Sequence, residues 1–150
     1  NDVNRIKNDI NSYLNNYGEN DKTFLEKPEN NTIFIAEKNH KIVHYFIIFK
    51  DALNSPLMQL PINKNLITTN SAYLGSAFTI PDERGLWVLL FSTSKIISYL
   101  NENTDIKTAL LVVHSKTKGA TLTFDRLGFN IIKNAAPKSL LYWFISKIRI

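Results

Sequence analysis

The sequence predicts an α/β (α+β) domain in which a mixed sheet carries helices on its faces. Three observations lead to this fold class. Residues 108–114 form a continuous apolar run, which is typical of a strand covered on both faces. Residues 72–114 are organised as strand, helix and strand, with strand pairs before and after them. The chain has 150 residues, of which 44% are hydrophobic, so we expect a single domain with its own core over residues 1–150.

The N-terminal third predicts a helix followed by a β-hairpin. Apolar residues recur at helical spacing over residues 2–14, which indicates an amphipathic helix. β-Branched and aromatic residues then predict strands at 32–36 and 41–49, joined by a tight turn at 38–40.

The central part combines an irregular connection with a strand and a helix. Residues 53–70 contain prolines and several asparagines, yet their segment 56–62 is apolar enough to pack against the core. A strand is expected at 72–79, and Pro81 ends it. Residues 86–100 then predict a mostly apolar helix that is largely buried.

The C-terminal part predicts a strand, a helix and two further strands. The apolar strand at 108–114 is followed by a helix at 118–127, for which Gly128 is the C-cap. The last two strands are expected at 130–133 and 140–150.

The composition excludes several classes of function. The chain contains no cysteine, which excludes a disulfide framework, thiolate metal sites and a cysteine nucleophile. That composition fits a reducing compartment, and we expect a cytoplasmic protein. His40, His44 and His114 lack the spacing of a metal site, so no metal is expected. No apolar run has the length of a membrane span, and no secretory leader is visible.

The net charge of +5 is concentrated toward the C-terminus, where residues 130–150 include basic but no acidic side chains. A basic excess suits an anionic ligand or partner, such as a nucleotide cofactor or a nucleic acid. The alternative interpretation is a solvated basic edge.

The segment Ser76–Phe91, SAFTIPDERGLWVLLF, predicts a strand that ends at a turn and a helix that begins directly after it. A helix N-terminus carries unpaired backbone N–H groups and a partial positive charge, so it binds anions. Gly85 lets an anion approach the backbone closely, and Arg84 adds a permanent cation. The alternative is a strand-to-helix corner in which the glycine only relieves strain.

The part of this segment from Ala77 to Leu90, AFTIPDERGLWVLL, resembles a motif of the GNAT superfamily of acyl-CoA-dependent N-acyltransferases. In that family a Pro-acid-x-Arg-Gly-x-Gly-x-Gly/Ala turn binds the pyrophosphate of coenzyme A. A second segment, Thr117–Phe129 with the sequence TKGATLTFDRLGF, is similar to the family's Asn-x-x-Ala-x-x-x-Tyr-x-x-x-Gly-Phe helix.

A helix and an apolar strand separate the two motifs, as they do in the family. The order of elements over residues 2–150 also follows the family, so the resemblance covers nearly the whole chain. It implies a mostly antiparallel central sheet with helices on both faces. It also implies that the family's first strand precedes Asn1, so we expect a segment upstream of the sequence.

Four positions depart from the family's motifs. Trp87 and Leu89 replace two small residues of the pyrophosphate turn, and Thr117 stands for the asparagine of the second motif. Phe124 replaces the tyrosine that often protonates the leaving thiolate. Backbone N–H groups are present whatever the side chain, so the turn at Trp87 and Leu89 can still bind an anion. The role of the acid that protonates the thiolate is either vacant or filled by another residue.

The resemblance implies acetyl-CoA as cosubstrate, with its pantetheine arm along residues 77–79, where the family's fourth and fifth strands splay apart. In this sequence those strands are 72–79 and 108–114. The cofactor-binding residues that it implies are Ala77, Phe78, Thr79, Arg84, Gly85, Leu86, Trp87, Val88, Leu89, Leu90, Thr117, Ala120 and Phe124.

Acyl transfer requires the acceptor amine to be neutral, and a general base can remove the proton of its ammonium form. Residues 72–79 contain no Asp or Glu for this role. His114, at the end of the apolar strand, has the pKa range for that role. Ser115 and Tyr73 are further catalytic candidates. His44 is a candidate for the acceptor side, and a structural role is the alternative for each of these residues.

The sequence therefore predicts an N-acyltransferase that transfers acetyl from acetyl-CoA to a primary amine of a small molecule or a protein. The alternative is a GNAT-like domain without catalysis, acting as a binding or regulatory module of a longer protein. A third interpretation is nucleic-acid binding through the last strand, with Tyr142, Trp143, Phe144, Lys147 and Arg149. A homodimer through segment 56–62 or the terminal strand stays open.

Overall fold

A six-stranded mixed sheet forms the centre of the structure. The computed structural model describes residues 4–6, 8–9, 31–60, 62–114, 117–135 and 143–149, with the backbone alone at 86, 114, 131–135, 143–147 and 149. The strands are β1 Asn31–Lys38, β2 Lys41–Phe49, β3 Ser71–Thr79, β4 Thr108–His114, β5 Asn130–Ala135 and β6 Trp143–Arg149. Their order across the sheet is β1-β2-β3-β4-β6-β5. Within this sheet β3 and β4 run parallel and the other neighbours antiparallel, which confirms the predicted fold class.

Helices cover both faces of the sheet. Helix α1, Leu86–Asn103, and helix α2, Lys118–Arg126, pack on one face through a core that includes Ile96 and Phe124. On the other face, helical residues 4–6 and 8–9 place Ile6 against β2. The Asp9 carboxylate accepts a hydrogen bond from the Ile42 amide at 2.9 Å and so fixes this segment to the sheet.

The β1–β2 hairpin forms as its turn chemistry predicts. Asn39 and His40 both have positive φ, 52° and 63°, which is the backbone of a two-residue type I′ turn. Asparagine and histidine tolerate this left-handed region better than most residues. The turn residues therefore set the register of the hairpin.

The connection from 50 to 70 consists of three short 3-10 turns rather than an open loop, at Ala52–Asn54, Pro56–Gln59 and Lys64–Leu66. Leu57 is fully buried in a small cluster with Ile67 and Leu110. This confirms that the apolar part of the connection packs against the sheet.

The expectation that helix α1 is largely buried is wrong for one of its faces. Ile96 and Leu100 face the core, but Trp87 is 80% exposed and Phe91 is 65% exposed. The two aromatic residues are four positions apart and so share one face of the helix. Lys95 lies 5.5 Å from the centre of the Phe91 ring, which gives that ring a partial cover.

The C-terminal end of α2 has the predicted cap. Gly128 has φ of 85°, and the Phe129 amide donates to the Phe124 carbonyl at 3.0 Å. This arrangement is the Schellman pattern, in which a residue in the left-handed region reverses the chain. As a result the rings of Phe124 and Phe129 meet edge to face, 5.5 Å apart.

Candidate cofactor-binding cleft

The cleft begins where β3 and β4 separate. Their parallel pairing runs from Ser71 opposite Thr108 to Leu74 opposite Leu111 and ends there, although both strands continue. At the same point β3 has two residues, Gly75 and Ser76, opposite the single residue Ile47 of β2. Such a bulge bends a strand and increases its twist. The bulge therefore accounts for the divergence of β3 from β4, which is the splay that the resemblance implied.

A cavity of about 680 Å³ occupies the gap. Nine of the residues predicted to contact the cofactor line it, namely Ala77, Phe78, Thr79, Arg84, Gly85, Leu89, Thr117, Ala120 and Phe124. Trp87, Val88 and Leu90 do not line it, and the side chain of Leu86 lies outside what the structure describes. The nine lining residues extend over 47 positions of the sequence, from Ala77 to Phe124, and folding collects them around one space. Their role in binding stays a prediction.

The N-terminus of α1 opens onto this cavity. Gly85 is its N-cap residue, no side chain caps the helix, and its first turn contains no acidic residue. The φ of Gly85 is 174°, which is extended backbone that any residue adopts, so this glycine does not relieve strain. No atom lies within 4 Å of the position where a Cβ would stand. The glycine thus leaves open space beside the first amides of the helix.

Charged side chains of both signs surround this turn. Arg84 is exposed on the cavity wall, and its Nε donates to the Thr79 carbonyl at 3.1 Å, which holds the guanidinium at the end of β3. The nearby carboxylate of Glu83 is paired with Lys38 at 2.7 Å. This ion pair offsets the charge of Glu83, whereas Asp82 in the same turn adds an exposed carboxylate.

The Trp87 indole does not fill the groove. Its side chain is 80% exposed and lies outside the cavity wall, although Trp87 occupies a position where the resembling family has glycine. A tryptophan on the first turn thus leaves the cavity open while its backbone remains part of the helix N-terminus.

The opposite wall comes from α2. Thr117 is the N-cap residue, and Ala120, Thr123 and Phe124 follow it along the cavity. The Thr123 hydroxyl donates to the Gly119 carbonyl at 2.9 Å, so it is satisfied within the helix. Phe124 is buried and has no group that could donate a proton.

A buried histidine supports the β3 wall. His44 is 1% exposed, and its Nδ1 lies 2.8 Å from the hydroxyl of Thr79. Its Nε2 is buried without a hydrogen-bond partner among the described residues. Burial lowers the pKa of His44 from 6.5 to about 4, so the ring is neutral at pH 7. Being buried and absent from the cavity wall, His44 does not reach an acceptor from this position.

The stability of the fold is expected to depend on the protonation of His44. Its pKa in the folded state, about 4, lies below the unfolded value of 6.5, so the unfolded chain binds more protons between these pH values. The free energy of unfolding should therefore fall as the pH is lowered from 6.5 to 4, by about 3 kcal/mol at most. Urea denaturation at half-unit pH steps between 5 and 6.5 measures the slope, above the range where ordinary carboxylates titrate.

The variant His44→Leu should flatten this slope, and His40→Asn, in the exposed hairpin turn, is its matched control and should retain it. An unchanged slope in His44→Leu would assign the pH dependence to another group.

Of the three catalytic candidates, the structure describes the side chain of Tyr73 alone. His114 ends β4 and pairs with Trp143 through the backbone, and its side chain lies outside what the structure describes. Ser115 lies outside the described residues. Tyr73 stacks on Phe49 with ring centres 5.7 Å apart and does not line the cavity. The base thus stays a prediction, and Tyr73 is positioned as a packing residue.

Several lining residues were not predicted from the sequence, namely Phe46, Leu74, Gly75, Leu111, Val112, Val113, Gly119 and Thr123. Most are apolar residues of strands, which no local pattern distinguishes from ordinary core residues. Gly75 is the exception, since an isolated glycine within a strand pattern indicates a bulge.

The predicted nucleic-acid surface lies outside the described side chains, because Tyr142 is not described and Trp143, Phe144, Lys147 and Arg149 are described by their backbone alone. Among the helices described, none is long and apolar enough to cross a bilayer. No cluster of three or more potential metal ligands occurs in the described part of the chain.

Comparison with known proteins supports the fold through structure alone. No family model matches the sequence, and no curated protein matches it significantly. Solved structures do match. An acetyltransferase of the GNAT family from Streptococcus pneumoniae aligns with a TM-score of 0.64 and 15% identity, covering 86% of this chain and 74% of that one.

Two further matches carry ligands. NAA60 of Arabidopsis thaliana, in complex with a bisubstrate analogue, aligns with a TM-score of 0.71 and 11% identity, covering 99% of this chain and 94% of that one. The N-acetyltransferase PseH of Campylobacter jejuni, in complex with acetyl coenzyme A, gives a TM-score of 0.59 and 16% identity over 91% and 81% of the two chains. The chain therefore has the fold of the GNAT acetyltransferases, and its structural neighbours include enzymes with acetyl-CoA bound.

Proposed function

We propose that this protein is an acyl-CoA-dependent N-acyltransferase that binds acetyl-CoA in the β3–β4 cleft and transfers the acetyl group to a primary amine. The observation that carries the proposal is the cleft itself. One cavity joins an uncapped helix N-terminus beside Arg84, the bulged end of β3 and the wall of α2. The structural neighbours with acetyl-CoA or a bisubstrate analogue support the same class of reaction.

The cosubstrate has a thioester, a pantetheine arm and a diphosphate, and the cleft offers a matching sequence of surfaces. The first amides of α1 and the guanidinium of Arg84 suit the diphosphate. The arm would run along Ala77, Phe78 and Thr79, where β3 has left β4. In this arrangement the thioester reaches the part of the cleft near Phe124, which is apolar.

The reaction needs few catalytic groups once both reactants are held in place. The neutral amine nitrogen attacks the thioester carbon, the C–N bond forms, the C–S bond breaks with the electron pair leaving on sulfur, and the nitrogen releases its proton to water. A backbone N–H of β3 would stabilise the oxyanion, and positioning supplies much of the rate. The thiolate takes up a proton from solvent, since Phe124 cannot donate one.

Replacing Phe124 by tyrosine is expected to raise turnover. The new hydroxyl would stand on the cavity wall where a general acid can protonate the leaving thiolate. General acids typically contribute about 10²–10⁴-fold, and in a site not built around the hydroxyl we expect a gain of roughly tenfold in kcat. Release of free coenzyme A thiol reports the rate. The matched control Phe129→Tyr changes the other ring of the pair, which does not line the cavity, and should leave kcat unchanged.

The proposal is tested by incubating the purified chain with acetyl-CoA and a panel of small amines and peptide N-termini, and following thiol release. Amine-dependent release supports it, whereas tight acetyl-CoA binding without release supports the second candidate, a GNAT-like binding module. The lost small residues at Trp87 and Leu89 and the missing tyrosine at Phe124 favour that second candidate. If the protein does not bind acetyl-CoA, both candidate functions, the acyltransferase and the acetyl-CoA-binding module, are contradicted.

We further propose that residues 1–150 act as a single acyltransferase domain, with a small-molecule or protein amine as acceptor. The absence of cysteine continues to favour a cytoplasmic location. Homodimer formation through segment 56–62 stays a prediction, and sedimentation measurements would test it.

A further inference from the structure

The cavity between β3 and β4 is lined by residues that belong to both faces of the sheet. Successive side chains of a strand point to opposite faces. Leu111 and Val113 of β4 belong to the core beneath α1 and α2. Val112, between them, packs against a separate cluster, as does Tyr73 of β3. All three β4 residues line the cavity, so the gap between the strands reaches residues of the face opposite to α1 and α2.

In the proposed complex the acyl group lies at the closed end of this gap. The arm would run along β3 from Thr79 back to Ala77, away from Gly85. The thioester then comes next to Gly75, one residue beyond the last pair of β3 with β4. On the face of α1 and α2, the arm and the buried core that includes Leu111 occupy the space around it. The acceptor amine therefore reaches the thioester carbon from the opposite face of the sheet.

The connection between β2 and β3 covers this opposite face at the closed end of the gap. Its first two 3-10 turns contact β3. Its residues Leu57 and Ile67 are buried against Leu110 of β4. Leu110 pairs with Tyr73, and this pair is the next to last before the strands separate. The connection is therefore placed beside the point at which the amine would enter.

The connection presents partly exposed apolar side chains at this place. Met58, Leu60 and Ile62 pack around the buried cluster, as does Val112 of the cavity wall, and all four keep part of their surface exposed. We call these four residues the apolar wall. Because Val112 belongs both to the wall and to the cavity lining, the two surfaces are continuous.

The charges that are described near the wall do not suit a second cation. Asp51 is the one acidic residue of the connection over residues 50–70. Its carboxylate accepts hydrogen bonds from the Leu53 amide at 2.9 Å and from the Asn54 side chain at 2.6 Å, which hold it in the first 3-10 turn. Arg84 is the only charged residue among the described residues of the cavity lining, and it lies at the other end of the cleft.

We propose that the apolar wall binds the substituent of the acceptor, so that the protein selects monoamines with an aliphatic or aromatic group over diamines and polyamines. This inference rests on the proposed function and specifies its acceptor. An apolar substituent gains free energy by burying its surface against the wall. Apolar surroundings also disfavour an ammonium group, which leaves the reacting amine in its neutral form and penalises a second ammonium that has no carboxylate as partner.

The first test compares hexylamine with hexamethylenediamine, which have the same length and differ by one terminal ammonium. Thiol release from acetyl-CoA should give a kcat/KM for hexylamine that is at least about tenfold higher. From propylamine to hexylamine, kcat/KM should rise by about two- to fourfold for each added methylene group. A tripeptide that begins with phenylalanine and one that begins with arginine repeat the contrast at a polypeptide N-terminus. Activity with the apolar member of one pair only identifies the source of the amine, small molecule or polypeptide.

The second test changes the wall. Met58→Asp places a carboxylate in it and should lower kcat/KM for hexylamine by about tenfold while raising that for hexamethylenediamine. The KM for acetyl-CoA should stay unchanged, because the wall lies outside the cosubstrate site. The matched control is Leu53→Asp, which adds the same charge in the same connection at a side chain that is 38% exposed and does not belong to the wall. If Met58→Asp does not fold, Met58→Gln, which is polar and of similar length, should reduce the preference for hexylamine.

The outcomes separate this inference from the proposal on which it rests. If the wild type acetylates the diamine as well as hexylamine or better, the inference alone is overturned. It is also overturned if the Met58 variant keeps the wild-type preference, and a change in its sedimentation would then assign the wall to a contact between two copies of the chain. If no amine causes thiol release, the proposed transferase and the inference both fail.

Discussion

Replacement of Gly85 by aspartate is expected to abolish acetyl-CoA binding while leaving the fold intact. An aspartate at the N-cap position accepts hydrogen bonds from the first amides of α1, the groups that we propose for the diphosphate. Its negative charge also repels that diphosphate. There is room for the side chain, because no atom lies within 4 Å of the Cβ position. We expect affinity to fall at least about 100-fold, or roughly 2.7 kcal/mol, by calorimetry.

The same variant should unfold at the wild-type temperature or slightly above it, since aspartate is a better N-cap than glycine by a few tenths of a kcal/mol. Acetyl-CoA at a hundred times its Kd should stabilise the wild type by about 2.7 kcal/mol and leave the variant unaffected. Loss of binding without loss of stability is the specific signature of a capped helix N-terminus.

The matched control is Ser94→Asp, which adds the same charge at an exposed position farther along α1. It should bind acetyl-CoA within a few-fold of the wild type. Gly85→Asn, which caps without a charge, separates competition for the amides from repulsion and should give an intermediate affinity. Wild-type affinity in a folded Gly85→Asp protein would remove the helix N-terminus from the binding site.

Replacement of Gly75 by alanine is expected to destabilise the protein by about 1–3 kcal/mol. A Cβ at this position would stand 2.6 Å from Cε2 of Phe49 and 3.3 Å from Cε1 of Tyr73. The Phe49 ring cannot withdraw easily, because it is buried and stacked on Tyr73. Urea denaturation measures the loss as a lower transition midpoint with an unchanged slope.

A second substitution identifies the clash as the cause. In the double variant of Gly75→Ala with Phe49→Leu, the smaller side chain makes room for the methyl group, so the destabilisation should be less than the sum of the two single effects. Gly119→Ala is the matched control, because a Cβ there has no atom within 4 Å and alanine favours a helix. If Gly75→Ala unfolds at the wild-type midpoint, the bulge tolerates a side chain and the packing of Phe49 does not restrict it.

Both predictions concern the cleft between β3 and β4. The bulge at Gly75 and Ser76 coincides with the end of the β3–β4 pairing, and the space that it opens is closed at one end by the turn that contains Gly85. A substitution at Gly75 thus changes the stability of the fold that forms the cleft, whereas a substitution at Gly85 changes the affinity for the ligand.

Local patterns in the sequence were sufficient for most of the elements. The hairpin turn at Asn39 and His40, the helix beginning after Gly85 and the cap at Gly128 all follow from preferences of a few adjacent residues. The last strand was expected at 140–150 and is described at Trp143–Arg149. Such local agreement is the reason that the order of elements, and with it the fold class, could be predicted.

The tertiary structure alone decided how open the cleft is and which groups face it. The bulge depends on the pairing of β3 with β2, the clash at Gly75 depends on Phe49, and the hydrogen bond of the Thr79 hydroxyl depends on His44, which is 35 residues away in sequence. The exposure of the Trp87 indole likewise depends on what the helix packs against. These features arise from contacts between distant segments, whose geometry no local propensity encodes.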